Sequence, residues 1–138
     1  MQQHVQTLNV RLHLKAFQKT KRAHPAKPQT VTGVINSDGS IKVDWELVKD
    51  AQSYLTHYSG ANQSDPKDAT FMGYSETDSW TLKAADVPAL ESGDKIYIYI
   101  QAYKEKGIGA DDVAKAKYLH DGQFTGSEWS EALVLTAE

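Results

Sequence analysis

An all-β sandwich is predicted by three features of this 138-residue chain. Short runs of alternating apolar and polar residues recur through its last four fifths. Turn residues separate those runs at close intervals. The runs number seven, enough to build two packed antiparallel sheets.

The first pair is Val31 to Ile35 and Ile41 to Val48, joined by Asn36-Ser37-Asp38-Gly39-Ser40. Asp-Gly supplies the positive φ of a tight turn. In the second run Ile41, Val43 and Trp45 share one face and Lys42, Asp44 and Glu46 the other, the signature of a half-buried strand. A third run, Ser53 to Ser59, alternates Tyr54, Thr56 and Tyr58 with Leu55 and His57. A polar loop with Pro66 follows, then a short edge strand over Thr70 to Tyr74 and another run, Ser79 to Leu82, carrying Trp80 and Leu82 on one face. Lys83 to Asp94 reads as a long corner. Lys95 to Lys104 is the plainest strand, with Ile96, Ile98, Ile100 and Ala102 facing one way and Tyr97, Tyr99, Gln101 and Tyr103 the other. The last strand is expected over Ala132 to Thr136. In the long loop before it, Asp111 and Asp112 are placed to cap a short helix through Tyr118.

Residues 1–28 differ from the rest. Pro25 and Pro28 bracket a linker, and before it Leu8, Val10, Leu12, Leu14 and Ala16 alternate with Asn9, Arg11, His13 and Lys15. At 100° per residue these apolar positions scatter around a helix, whereas at 180° they line one face. Residues 8–16 therefore read as a strand about 30 Å long at ~3.3 Å per residue. A lone strand with an apolar face is unstable in water. Three fates stay open: an eighth strand packed on this chain, a strand exchanged with another subunit, or a disordered arm. The expected division is an arm over 1–28 and a folded domain over 29–138.

Charge divides the same way. The arm holds six basic residues (Arg11, Lys15, Lys19, Lys21, Arg22 and Lys27) and no acid, while the remainder holds nine basic and 18 acidic residues. A basic arm on an acidic body favours contact with its own domain or a neighbouring copy. Nucleic acid is a weaker reading, because the arm has one aromatic, Phe17, and no interleaved stacking residues.

The ordered residues of the domain resemble the fibronectin type III family over 29–138. Trp45 at the end of Ile41-x-Val43-x-Trp45 is similar to the buried tryptophan of that family's second strand. Ala51-x-x-Tyr54-x-Thr56-x-Tyr58 resembles its third strand, and Leu90 followed by Ile96-x-Ile98-x-Ile100-x-Ala102 its sixth. Ser127-Glu128-Trp129-Ser130-Glu131-Ala132-Leu133-Val134-Leu135-Thr136 resembles its last. The resemblance implies a fibronectin type III-like, immunoglobulin-like, seven-stranded sandwich with the β-patterned arm in front. Two departures stand out. Ile96 occupies the place of the tyrosine that usually ties down the corner before the sixth strand, so that corner must be held otherwise. The loop from Glu105 to Glu131 is unusually long and reads as an insertion.

The resemblance implies a spacer, adhesion or recognition module rather than an enzyme. Such modules decorate bacteriophage heads, necks and tails and accompany polysaccharide-degrading enzymes. The leading expectation is a structural module of a multi-subunit assembly, placed in a virion or in the bacterial cytoplasm before assembly. The alternative is a carbohydrate-binding or adhesion module at a bacterial surface.

Composition and motifs agree with a non-catalytic reading. The chain has no cysteine, which removes disulfides, thiol nucleophiles and cysteine-based zinc sites together. No apolar run reaches the ~18 residues of a membrane span. The N-terminus lacks the apolar core of a secretory signal, so none is expected as written. There is no G-x-S-x-G elbow, and His4, His13, His24, His57 and His120 show neither H-x-H nor H-E-x-x-H spacing. Asp65 with Asp68, and Asp111 with Asp112, do not form the ligand series of a calcium loop. Asn62-Gln63-Ser64 matches a glycosylation sequon, a pattern common by chance. No cofactor and no metal are expected.

The candidate interaction residues fall in three groups. Leu8, Val10, Leu12 and Leu14 are the apolar face of the arm. Tyr97, Tyr99 and Tyr103, with Leu55 and His57 on the neighbouring strand, form an aromatic stripe. A sheet face so apolar is usually covered, by ordinary cross-strand packing, by a protein partner such as the arm, or by a sugar ring. Tyr118, His120 and Phe124 belong to the long loop, which reads equally as a recognition loop or as a plug over one end of the sandwich.

Overall fold

The computed structural model describes residues 24–65 and 69–138. The strand expected over residues 8–16, with Leu8, Val10, Leu12 and Leu14, lies outside the described residues, as do Pro66 and Asp68. The described chain forms β1 (Thr32–Ile35), β2 (Ile41–Asp44), β3 (Ser53–Tyr58), β4 (Phe71–Ser75), β5 (Ser79–Leu82), a 3₁₀ turn (Ala84–Asp86), β6 (Lys95–Tyr103), α1 (Asp112–Asp121) and β7 (Leu133–Thr136). Two antiparallel sheets face each other, one of order β1-β2-β5 and one of order β4-β3-β6-β7.

The alternating runs form these strands because each carries one apolar face that only a second sheet can bury. Ile41, Val43 and Leu82 from the smaller sheet meet Tyr54, Tyr58, Ile96, Ile98, Ile100, Ala102, Leu133 and Leu135 from the larger one. Trp45 is 4% exposed, and its ring meets the Tyr54 ring edge-on at 5.2 Å between centroids. At one side of the sandwich Tyr58 and Trp80 close the gap between the sheets, 5.6 Å apart. Gly73 makes that closure possible, since a Cβ there would lie 2.5 Å from the Trp80 ring.

The expected runs and the observed strands differ at their ends. β2 stops at Asp44 rather than Val48. The alternation continues past Asp44, but Trp45 N–H donates to Asp78 and Glu46 N–H to Gln29, so the backbone leaves the ladder for two loops. Val48 N–H is taken by the Tyr54 hydroxyl at 2.8 Å. The helix begins as expected, the Asp111 carboxylate accepting from Ala114 N–H at 2.8 Å. It runs three residues past Tyr118, to Asp121.

The corner before β6, which lacks the family's tyrosine, is held by Asn62 and Asp94. Asn62 sits in the left-handed region at φ 62°, which asparagine tolerates better than most residues. Its N–H donates to Lys95 O at 2.6 Å and its side-chain oxygen accepts from Lys95 N–H at 2.9 Å. Its side-chain nitrogen donates to Asp94 Oδ1 at 3.0 Å, while Asp94 Oδ2 accepts from Glu91 N–H at 2.8 Å. These bonds hold the Asp94 carboxyl below the usual range, the Glu91 amide contributing most. The sequon asparagine is thus part of the frame.

Candidate interaction surface

The outward face of the larger sheet is where β6 places its tyrosines. Strand register sets Tyr99 opposite His57, Gln101 opposite Leu55 and Tyr103 opposite Ser53. On the other side of β3, Tyr74 lies opposite Leu55 and Met72 opposite His57. One contiguous apolar patch therefore spans three strands.

The long insertion covers this patch. Ala116 and Leu119 of α1 are fully buried against Leu55, Tyr74 and Tyr103, with Met72 and Phe124 at the margin. Tyr74 anchors the start of the insertion: its hydroxyl accepts from Gly107 N–H at 2.8 Å and donates to Glu76 Oε2 at 2.6 Å. Burial, reinforced by the Glu76 bond, pushes the Tyr74 phenol up to about 12. Lys115 sits 5.6 Å from the centre of the same ring. Tyr118 packs on Phe124 at 5.2 Å between ring centres but remains 39% exposed. His120 is exposed at the helix end, 6.4 Å from the His57 ring.

Beyond the helix the chain returns along β6 as a strap. Ser127 N–H donates to Ala102 O while Ser127 Oγ accepts from Ala102 N–H, both at 2.8 Å. Ser130 repeats the pattern on Ile100, at 2.8 and 2.9 Å. Each serine satisfies both backbone groups of one β6 residue, so this stretch of edge is paired without being a strand. Between them Trp129 turns inward and stacks on His57, at 4.2 Å and 14° between ring planes, with Tyr99 tilted beside it at 5.6 Å.

His57 is 2% exposed. Gln101 Nε2 donates to Ser127 O at 3.1 Å, so Gln101 Oε1 faces the imidazole and accepts from His57 Nε2–H at 2.9 Å. The ring is held as the neutral tautomer with its proton on Nε2. Burial lowers its pKa to about 4, against a smaller opposing effect of the Gln101 bond. Burial also raises the phenols of Tyr99 and Tyr103.

The aromatic stripe is therefore divided. Tyr103, Leu55 and His57 are interior residues beneath α1 and Trp129. Tyr99 is 8% exposed and donates its hydroxyl to Ser64 O at 2.7 Å, tying the β3–β4 loop to the sheet. Tyr97 alone is half-buried, beside Val134 at the β7 edge. Of the long-loop residues, Phe124 is half-buried while Tyr118 and His120 face outward. Trp129, Gln101 and the two serines were not among the expected site residues. The signal in the sequence was a lone tryptophan between serines two before and one after it, within a stretch that read as the start of a strand.

With that face occupied, the accessible features are edges. β1 and β7 end their sheets on the same side of the sandwich. They approach closely, because a Cβ on Gly33 would lie 2.8 Å from the Leu133 side chain. Val34 on β1 and Val134 on β7 are 53% and 44% exposed. Among the described residues no group of three or more His, Cys, Asp or Glu is placed to hold a metal ion, and no helix is long and apolar enough to cross a membrane.

No protein-family model and no curated protein matches the chain. Solved structures do. An Fn3-like protein from Clostridium thermocellum aligns with 83% of this chain and 94% of its own, at 16% identity and a TM-score of 0.53. A chain of a cytokine receptor complex aligns with 83% of this chain and 52% of its own, at 17% identity and 0.55. The fn3 domain of human collagen alpha-1(XX) aligns with 82% of this chain and 85% of its own, at 14% identity and 0.50. Together with the two-sheet topology, these likenesses define the architecture: the chain has a fibronectin type III-like β-sandwich fold.

Proposed function

We propose that this chain is a non-catalytic protein-interaction module that builds a multi-subunit assembly. The observation that carries the reading is the pair of edges, β1 and β7, side by side on one flank of the sandwich and without a further strand among the described residues. An open edge is a template for one more strand. Residues 8–16 carry the alternation of such a strand. Main-chain pairing supplies affinity, and Leu8, Val10, Leu12 and Leu14 set the register. Opposite charge on arm and body draws the two together.

The assembly we favour is a bacteriophage or prophage virion, in its head, neck or tail, with the chain in the bacterial cytoplasm before assembly. That placement rests on the kinds of assembly in which sandwiches of this class serve as decorating modules. A glycan-binding reading finds less support, because Tyr99 and Tyr103 are engaged by Ser64 and by α1.

Light scattering on the full chain, over a range of concentrations, tests the reading. The wild type is expected to form a species larger than a monomer. The full-length double variant Val10→Asp, Leu12→Asp is expected to be a monomer with an unchanged thermal midpoint. Equal masses for the two chains would reject a building role for the arm.

A further inference from the structure

We propose that residues 105–131 form a cover released by protons: when His57 takes up a proton, α1 and the serine strap leave the larger sheet as one unit while the two-sheet sandwich stays folded. Two separate apolar clusters allow such a release. The core between the sheets is built around Ile41, Val43, Trp45, Tyr54 and Ile98, and none of its members comes from the insertion. The insertion contributes Ala116, Leu119 and Phe124 to a second cluster, on the outer face of the sheet with Leu55, Tyr74 and Tyr103. Opening the second cluster leaves the first in place, and a unit packed in this way opens at lower cost than the whole domain.

His57 sits where the parts of the cover meet. It is 2% exposed, with the Trp129 indole stacked on it at 4.2 Å. Gln101 joins the ring to the strap, accepting from His57 Nε2–H at 2.9 Å and donating to Ser127 O at 3.1 Å. Water therefore reaches the imidazole only when Trp129 lifts away, and Trp129 lies between the two serines that hold the strap to Ala102 and Ile100.

The groups packed around His57 do not compensate a positive charge there. α1 presents His120, its ring 6.4 Å away, and Asp121 is already bonded to His120 Nδ1 at 3.0 Å. β6 presents Gln101 and the Tyr99 phenol, whose hydroxyl goes to Ser64 O, and Asp65 acts on that phenol. β4 sets Met72 opposite. Glu128 and Glu131 of the strap are exposed. The indole face attracts a cation, but burial outweighs it and holds the ring at about 4. In the opened state the ring returns to water and toward 6.5. The opened state thus binds more protons between those values, so closure is fully favoured above pH 6.5 and weakens as pH falls toward 4.

Amide hydrogen exchange on the full chain tests the release, with rates corrected for the intrinsic pH dependence of exchange. The opening constant of the α1 amides is expected to rise about 20-fold between pH 7 and pH 5. The Ile100 and Ala102 amides, which donate to Ser130 and Ser127, are expected to share that constant. The β2 amides are expected to stay better protected than α1 at both pH values. His57→Phe fills the site without a titrating ring and is expected to abolish the rise in α1. His57→Gln keeps a donor for Gln101 and serves if the first variant does not fold by circular dichroism. Equal opening constants for α1 and β2 at both pH values would overturn the separate release of the cover. An α1 constant unchanged between pH 7 and pH 5, or a 20-fold rise that persists in a folded His57 variant, would overturn His57 as its trigger.

Discussion

The Trp129 indole lies flat on the His57 imidazole, 4.2 Å between ring centres and 14° between planes. The contact joins a loop residue to the last pleat of β3, one residue before that strand ends and 72 positions earlier in the sequence. It closes the part of the sheet that α1 does not reach. Replacing Trp129 with Ala is expected to lower unfolding free energy by about 2 kcal/mol, the loss of a stacked and largely buried aromatic. The same change lets water reach His57, so its pKa is expected to rise from about 4 toward 6.5. Urea unfolding and an NMR titration of the ring measure the two effects. An unmoved His57 pKa would show that the indole is not what keeps the ring dry.

Burial of a neutral histidine makes stability depend on pH. His57 titrates near 4 in the folded chain and near 6.5 when unfolded. Between those values the unfolded state binds more protons than the folded one. The stabilisation is fully present above pH 6.5, falls as pH drops through the window, and is gone below about 4. The shift corresponds to a loss on the order of 3 kcal/mol. Urea midpoints between pH 7 and pH 4.5 should fall steeply in the wild type and less so in His57→Phe. Identical slopes would assign the acid sensitivity to other groups.

Ser127 and Ser130 stand in for strand pairing along β6. Ser130→Ala leaves Ile100 N–H buried without its acceptor, and Ser127→Ala does the same to Ala102. Each is expected to cost about 1–3 kcal/mol, the penalty of an unsatisfied buried donor. Hydrogen exchange is the direct readout, because protection should drop at Ile100 in the first variant and at Ala102 in the second. Uniform loss of protection across β6 would point to general destabilisation instead.

Asn62 combines a left-handed backbone with three bonds to the β6 corner. Asn62→Gly keeps the backbone conformation at low strain and loses the side-chain bonds. Asn62→Ala loses the bonds and adds strain, so it should be the less stable of the two by roughly 0.5–1 kcal/mol. Thermal midpoints of the two variants decide this. If Ala equals Gly, the positive φ is not maintained in solution.

The strands were legible because alternation is a local property. Ile96, Ile98, Ile100 and Ala102 line one side of any extended chain, whatever else the molecule contains. The end of β2 was not legible, since Trp45 and Glu46 continue the pattern while their amides go to Asp78 and Gln29, residues far away in sequence. The missing corner tyrosine was readable as an absence. Its replacement by Asn62 and Asp94 was not, because their meeting requires the β3–β4 loop to fold against β6.

The candidate surface shows the same division. Sequence by itself determined that β6 carries a row of tyrosines opposite its core face and that this row needed a cover, and it offered Asp111 and Asp112 as caps of a short helix, of which the structure uses Asp111. Only the tertiary structure decided that the cover is the chain's own insertion, with Leu119 and Trp129 as its inner residues. The periodicity of a strand names the face that must be buried, but what buries it depends on the path of a loop. That path is selected by contacts between residues distant in sequence, such as Trp129 with His57, which no local pattern encodes.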